Sequence, residues 1–183
     1  MIAKTEIKPN VLLLYPKTGM DMGSTVAPPH GLLTVAAPVL KAGYSVRLLD
    51  QRVEPVTKNI IDSYLSSDLI CVAISAMTGT QINYALKLAR HVRELTDGKV
   101  PIIWGGCHPS VMPQQTLEHE MVDIVVNGEG DETFIEVVRA LDHKTSLKDI
   151  QGILYKEGGK IITTTLRPLL DVDRRDPPAQ GVL

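Results

Sequence analysis

The residues best suited to chemistry in this chain follow an apolar run near position 100. In IIWGGCHPS, residues 102–110, two glycines precede a cysteine, a histidine and a proline. Paired glycines after a strand indicate either a turn without room for side chains or a close approach between the backbone and a ligand. The stretch therefore raises three alternatives: a metal site, a phosphate loop, or the slot for a larger cofactor.

The metal alternative is disfavoured by spacing. Cys107 and His108 are adjacent, and neighbouring residues of an extended chain point to opposite sides. The five histidines show neither H-x-x-x-H nor H-E-x-x-H spacing. A nucleophilic Cys107 stays open, because the start of a helix favours the reactive thiolate. On that alternative the chain is a hydrolase or transferase that uses Cys107, His108 and Glu129.

The phosphate alternative lacks its usual motifs. No G-x-x-x-x-G-K-[ST] is present, and no G-x-G-x-x-G follows the first strand. The segment GEGDET (128–133) does follow a strand and open a helix, but its carboxylates would repel phosphate. Acidic residues there also suit the positive end of a helix. Glu129, between two glycines, stays a candidate ligand-binding residue.

A long and mostly neutral ligand arm fits these residues better. Gly105 and Gly106 would clear the space for it, and Ser75 would supply one hydroxyl. The small residues of SAMTGT (75–80) would surround the same opening. Cys71 lies inside the apolar run LICVAIS, so we expect it to be a buried, inert thiol.

Five apolar runs alternate with amphipathic segments and must position these residues. We predict strands at 11–16, 44–50, 68–75, 100–106 and 122–130. We predict helices at 31–43, 56–65, 80–95, near 113–120 and at 131–141. Thr57 is a possible cap, and Pro38 predicts a kink or an early break in the first helix.

This alternation predicts an open parallel sheet with helices on both faces. Ligands of such folds bind outside the carboxyl ends of the strands. The loops that begin at Pro16, Asp50, Ser75, Gly105 and Gly128 should therefore gather at one edge. Beyond residue 150 the pattern changes: residues 152–165 predict a β-hairpin turning at Gly158-Gly159. The rest, with three prolines and no periodicity, predicts an extended linker.

Bulk properties narrow the class of protein. The 183 residues have 44% hydrophobic content and a net charge of -2, which favours neither nucleic acid nor an anionic membrane as a partner. No apolar run is long enough to cross a bilayer, and the first ten residues lack a signal-peptide core, so we expect a cytoplasmic protein. Two cysteines do not provide a four-ligand structural zinc site.

Four segments, in this order, resemble a known family: GLLTVAAPVLKAGYSVRLLD, ICVAIS, IIWGGCHPS and VDIVVNGEGDETF. They are similar to the N-terminal cobalamin (vitamin B12)-binding domain of cobalamin-dependent radical S-adenosylmethionine enzymes. Those enzymes include methyltransferases and the anaerobic cyclase of bacteriochlorophyll synthesis. The resemblance covers about residues 9 to 172. It implies a Rossmann-like or flavodoxin-like five-stranded sheet followed by the hairpin and linker.

The resemblance also implies roles for individual residues. Residues at two strand ends would form the slot for the nucleotide tail: Ser75, Ala76, Met77 and Thr78 as its wall, Gly105 and Gly106 as its passage. Others would lie beside the tail or the corrin: Cys107, His108 and Pro109 along the tail, Gly128, Glu129 and Gly130 near the corrin's edge. The loop 18–31 would approach the corrin's rim or a neighbouring domain.

Two departures from the family refine these expectations. Many cobalamin domains carry D-x-H-x-x-G, in which the histidine ligates cobalt, but here Asp50 is followed by Arg52 and Pro55 at the histidine and glycine positions. An arginine cannot ligate a metal, so the resemblance implies base-off, His-off cobalamin. Arg52 would lie near the corrin's lower face, the alternative being an ordinary surface cation.

The second departure concerns the iron–sulfur cluster, which the radical enzymes hold with C-x-x-x-C-x-x-C. The two cysteines cannot form that motif. We therefore expect a cobalamin-binding domain at 1–150, the hairpin at 151–166 and a linker at 167–183. The cluster and S-adenosylmethionine would belong to a radical domain in cis or in trans. A flavin- or nucleotide-binding module of the same fold is the remaining alternative.

Overall fold

A computed structural model of the protein describes residues 8–19, 26–171, 173, 175–179 and 181–182. Part of the predicted corrin-facing loop 18–31, residues 20–25, lies outside the described residues. The described strands are β1 (Val11–Tyr15), β2 (Val46–Asp50), β3 (Cys71–Ser75), β4 (Ile102–Gly105), β5 (Ile124–Val126), β6 (Ile153–Glu157) and β7 (Lys160–Thr163). The described helices are α1 (His30–Lys41), α2 (Lys58–Tyr64), α3 (Thr80–Thr96), α4 (Cys107–Val111), α5 (Pro113–Glu118) and α6 (Asp131–His143).

All seven described strands belong to one sheet, in the order β2-β1-β3-β4-β5-β6-β7. The first five strands are parallel, so the predicted open α/β sheet is confirmed. The predicted hairpin at Gly158-Gly159 also forms, and it extends the sheet instead of standing apart from it. Its first strand pairs antiparallel with β5, because the buried side chains of Ile153, Leu154 and Tyr155 continue the core.

Two hydrophobic layers cover the sheet, and each explains part of the sequence pattern. On the first face, α1 and α6 pack over Val11 and Leu13 of β1. On the second face, α2, α3 and α5 pack over Leu12 and Leu14 of the same strand. A parallel strand that is buried on both faces is apolar throughout and does not alternate between polar and apolar residues. The continuous run VLLLY follows from that position.

The helices agree with the predictions except at two places. Thr57 caps α2 as predicted, its hydroxyl accepting a hydrogen bond from the Ile60 N–H. Of the kink or early break predicted at Pro38, the early break is wrong, since α1 continues to Lys41 and buries Ala36 and Val39 on either side of the proline. The kink stays a prediction. The short helix α4 was not predicted. No helix in the described ranges has the length and apolar character needed to cross a membrane.

The described residues of the C-terminal segment, 166–182, contain no strand or α-helix, in line with the sequence pattern, but the segment packs against the domain. We call this segment the strap, of which residues 172, 174 and 180 are not described. Arg167 attaches it to α6 through Thr133, with Nε and Oγ1 2.8 Å apart. Further along, the buried Ala179 donates its N–H to the Leu33 carbonyl of α1 at 2.9 Å. The strap thus crosses from one first-face helix to the other.

Candidate functional site

A cavity of about 250 Å³ opens at the carboxyl edge of the sheet, between α1 and α6 on the first face. We call this cavity the slot. Its inner wall consists of buried apolar side chains, those of Ala73, Ile103, Val126 and Phe134. Its rim carries half-exposed polar side chains, those of Thr34, Glu129, Asp131 and Arg175. The cavity is thus apolar inside and polar at its entrance.

The slot exists because the ends of β3 and β4 carry almost no side-chain volume on the first face. Ser75 and Gly105 are direct neighbours across the two strands. Side chains alternate along a strand, and Ile74 and Trp104 belong to the second-face core. The Ser75 hydroxymethyl group and the bare Gly105 Cα therefore face the slot. A Cβ on Gly105 would meet Val126 Cβ at 3.8 Å, an ordinary contact.

Gly106 lines the same slot, but the fold alone requires this glycine. Its φ of 98° and ψ of -170° lie in a region that is essentially restricted to glycine. A Cβ there would lie 2.9 Å from Ser75 Oγ and 3.0 Å from the Ala76 carbonyl oxygen. That carbonyl accepts a hydrogen bond from the His108 N–H at 3.0 Å. The two glycines therefore differ: Gly105 leaves a space open, whereas Gly106 lets two backbones meet.

The residues after β3 face different surroundings. Ala76 is fully buried on the second face and Met77 is half exposed. Thr78 lies at the surface, with its Oγ1 3.3 Å from Nδ1 of His108. Together with Ser75, these are the four residues predicted to form the wall. All four lie at the carboxyl edge, and Ser75 is the one that lines the slot.

Gln81 organises this edge and was missed by the sequence analysis. Its side chain is 2% exposed. Its Nε2 donates to the Pro16 carbonyl after β1 at 2.8 Å, and its Oε1 accepts from the Met77 N–H after β3 at 2.6 Å. One amide thus fixes two loops. The signal was a polar residue on the buried helical stripe that includes Ala85 and Val92.

The first turn of α4 carries the predicted cysteine, histidine and proline. Cys107 is exposed, His108 contacts Thr78, and Pro109 is buried. Within the described residues, no hydrogen bond connects the side chains of Cys107, His108 and Glu129, so the nucleophilic alternative finds no assembled site. Nowhere in the described part of the chain do three or more His, Cys, Asp or Glu side chains form a group able to hold a metal ion.

The strap holds Glu129 at the rim of the slot. One carboxylate oxygen accepts the Leu170 N–H at 2.7 Å, and the other pairs with the Arg175 guanidinium. The hydrogen bond from Leu170, together with the charge of Arg175, lowers the pKa of Glu129, while desolvation opposes this shift. The carboxylate therefore stays ionised to a lower pH than an ordinary glutamate. Its partners at this rim belong to the strap, not to α4.

Arg52 lies at the end of β2, outside the slot, and is not an ordinary surface cation. Its side chain is 12% exposed, and its Nε and Nη2 lie 3.0 and 2.6 Å from the two oxygens of the buried Asp50 carboxylate. Nη2 also donates to the Ala27 carbonyl at 2.9 Å, and the guanidinium lies 4.2 Å from the ring centroid of Tyr15. The position where D-x-H proteins carry histidine is thus filled by a fixed cation.

Comparison with known proteins identifies the family that shares this arrangement. The family model of the B12 binding domain matches residues 22–138, which is more than half of the chain. The chain belongs to the B12-binding domain family. The resemblance seen in the sequence is confirmed, and cobalamin is the cofactor of this domain.

The curated relatives are longer proteins. An uncharacterized methyltransferase of Pyrococcus horikoshii is 33% identical over 181 residues, covering 94% of this chain and 38% of the relative. The anaerobic magnesium-protoporphyrin IX monomethyl ester cyclase of Synechocystis is 28% identical over 163 residues, covering 87% of this chain and 32% of the relative. This B12-binding domain therefore spans about a third of the length of the relatives it matches.

Solved structures share the fold of this B12-binding domain. The radical S-adenosylmethionine methyltransferase TsrM from Kitasatospora setae, with cobalamin and an iron–sulfur cluster bound, aligns with a TM-score of 0.73 and 18% identity. The alignment covers 96% of this chain and 32% of TsrM. The cobalamin-dependent enzyme OxsB aligns with a TM-score of 0.69 and 22% identity, covering 88% of this chain and 22% of OxsB.

The slot fits the nucleotide tail of cobalamin. The tail ends in a flat, apolar dimethylbenzimidazole base, and pockets for such groups are apolar with a few oriented polar atoms. The inner wall has that character, and Ser75 provides a hydroxyl beside the space that a side chain at residue 105 would fill. The space, the apolar wall and the polar rim therefore match the parts of the tail.

Proposed function

We propose that this domain binds cobalamin in the base-off, His-off form, as the cofactor domain of a radical S-adenosylmethionine methyltransferase or a related enzyme. The pairing of Ser75 with Gly105 is the observation that carries the proposal. It leaves an open slot above the ends of two strands, on the first face at the carboxyl edge, where ligands of parallel α/β sheets bind.

In this proposal the tail base lies against Ala73, Ile103, Val126 and Phe134, and the sugar and phosphate lie at the rim. Threading the base into the slot removes it from the cobalt, which defines the base-off state. Gly128 and Gly130 lie at the rim with Glu129, near the expected position of the corrin's edge. The other predicted residues of the site belong to the same carboxyl edge, and their contact with cobalamin stays a prediction: Ala76, Met77, Thr78, Cys107, His108 and Pro109.

The His-off part of the proposal rests on Arg52. Its guanidinium is tied to Asp50, Ala27 and the ring of Tyr15, and an arginine has no lone pair to offer a metal. A bulky guanidinium below the corrin would discourage a further ligand, while the paired Asp50 carboxylate offsets most of its charge. Arg52 thus acts on the cofactor through its bulk.

The chemistry of the whole enzyme needs groups beyond this domain. Bound cobalamin supplies methyl-transfer or related chemistry at cobalt, and this chain's part is to hold and orient it. The two cysteines, one of them buried, cannot provide the three thiolates of a radical cluster. The cluster and S-adenosylmethionine therefore belong to a radical domain in cis or in trans, for which the radical S-adenosylmethionine enzymes TsrM and OxsB are the models.

The test is to load the purified protein with hydroxocobalamin, remove free cofactor by desalting, and record the absorption spectrum. The proposal predicts retained cobalamin with a base-off spectrum, and weaker retention of cobinamide, which lacks the nucleotide tail. No retained cobalamin, or equal retention of the two corrinoids, would contradict it. Since this chain lacks the cluster motif, the loaded protein is also expected not to cleave S-adenosylmethionine reductively.

A further inference from the structure

Arg175 has three features that its ion pair with Glu129 does not explain. It belongs to the strap, it lines the slot, and its Nε is buried without a hydrogen-bond partner among the described residues. Among those residues it is also the only cation on the slot's lining, which carries the carboxylates of Glu129 and Asp131. A buried donor without an acceptor is uncommon in folded proteins.

The strap holds this arginine over the entrance of the slot. Arg167 fastens the strap to α6, where its Nη1 also pairs with Glu132 at 3.0 Å. On the other side, Ala179 bonds to Leu33 of α1. Since α1 and α6 flank the slot, the residues between these two anchors pass its mouth, and Arg175 is one of them.

We propose that Arg175 binds the phosphodiester of the cobalamin nucleotide tail, so that the strap is part of the cofactor site. This inference rests on the proposed function. The phosphodiester carries one negative charge and joins the base to the rest of the cofactor. With the base on the apolar inner wall, the phosphodiester reaches the rim, where Arg175 is the available cation. A guanidinium can hold Glu129 with one nitrogen and offer another N–H to phosphate oxygen.

Glu129 acts as a positioning residue in this proposal. Its carboxylate takes one nitrogen of Arg175 and the Leu170 N–H, which fixes the guanidinium at the rim. It also balances the arginine's charge before cofactor binds. The guanidinium N–H groups that do not bind Glu129 are the donors assigned to the phosphodiester.

The test compares the affinities of the full chain for cobalamin and for cobinamide, which lacks the phosphodiester and base. Arg175→Ala should weaken cobalamin binding about ten- to hundredfold, the usual effect of losing a hydrogen bond to a charged group. The affinity of the Arg175→Ala protein for cobinamide should change by less than about twofold, which is much less than the loss of such a hydrogen bond would cause. The control Lys58→Ala removes a cation of α2 that pairs with Glu94 on the second face of the sheet, and it should leave the ratio of the two affinities unchanged. Arg175→Gln should repeat the selective loss if Arg175→Ala fails to fold.

Two outcomes would overturn the inference. One is equal weakening of cobalamin and cobinamide binding by Arg175→Ala, which would make Arg175 only a strap anchor. The other is a loss of cobalamin preference in Glu129→Gln as large as that in Arg175→Ala, since this variant keeps the whole guanidinium and a side-chain oxygen that can accept a hydrogen bond from it. Failure of the proposed function looks different: the unmodified protein would then bind neither corrinoid or would show no preference between them.

Discussion

Filling the slot from Gly105 is the sharpest perturbation that the structure offers. A Cβ at this position has Val126 Cβ as its nearest contact, at 3.8 Å, and the backbone needs no positive φ. Gly105→Val should therefore fold as well as the parent, because this position is free of backbone strain and the new side chain would extend into the open slot. The new side chain would occupy the space assigned to the tail base.

The size of the effect follows from the buried area. A two-ring aromatic group buries about 150–250 Å², which corresponds to about 4–6 kcal/mol at 25 cal/mol per Å². Keeping the base out of the slot should therefore weaken cobalamin binding by about a thousandfold or more. Cobinamide binding should change little, since this corrinoid has no base to place.

Equilibrium dialysis with both corrinoids, alongside thermal unfolding, measures this prediction. The matched control is Gly106→Ala, whose Cβ would lie 2.9 Å from Ser75 Oγ in a backbone conformation restricted to glycine. That variant should lose about 1–3 kcal/mol of stability from backbone strain alone. A folded Gly105→Val protein that binds cobalamin with the parent's affinity would refute the assignment of the slot.

Three further predictions concern single side chains. Arg52→His should create a cobalt–nitrogen bond visible in the paramagnetic-resonance spectrum; the same spectrum for Arg52→His, Arg52→Ala and the parent would make this residue a bystander. The pKa of Glu129 is lowered by the hydrogen bond from Leu170 and by the strap arginine. The stabilisation of the docked strap by Glu129 is therefore present above the ordinary carboxyl pKa and is lost as pH falls through the lowered pKa. Protection of the Leu170 amide from hydrogen exchange should decrease over the same pH range, and it should decrease less in Glu129→Gln. Burial raises the pKa of Cys71 to about 12, so iodoacetamide should label only the exposed Cys107 of the native chain; two adducts by mass spectrometry would contradict this.

The sheet was predictable because each of its parallel strands has a recognisable local sequence pattern. Runs such as VLLLY and ICVAIS are continuous apolar segments, and burial on both faces of a parallel sheet requires that pattern. The position of the hairpin was not predictable in the same way. The two strands of the hairpin are close in sequence and pair with each other. The pairing of β6 with β5, however, depends on which edge of the sheet is free, and the hydrophobic periodicity of a sequence does not show the order of its strands.

The site was predictable in place but not in detail. The rule for parallel sheets located the loops after Ser75, Gly105 and Gly128, and all three residues line the slot. The sequence could not separate the roles of Gly105 and Gly106, since only coordinates show which missing Cβ faces open space. The short helix α4 has too few residues for a helical period to be recognised.

The strap shows what sequence patterns do not contain. Its contacts are single ion pairs and isolated apolar anchors, such as Arg175 with Glu129 and the buried Ala179. Neither produces a periodic pattern, so the segment gives the same signal as a linker. Its prolines disfavour helix and strand, and packing against α1 and α6 needs neither.

The paramagnetic-resonance spectrum of the cobalt(II) form tests the central claim most directly. The protein is loaded with cobalamin, reduced by one electron, and compared with free cobalamin at neutral pH, in which the base nitrogen splits the cobalt signals. With the base threaded into the slot and Arg52 in the histidine position, we expect a spectrum without nitrogen splitting. Nitrogen splitting in the loaded protein would mean that the base or a histidine ligates cobalt, and would contradict the account.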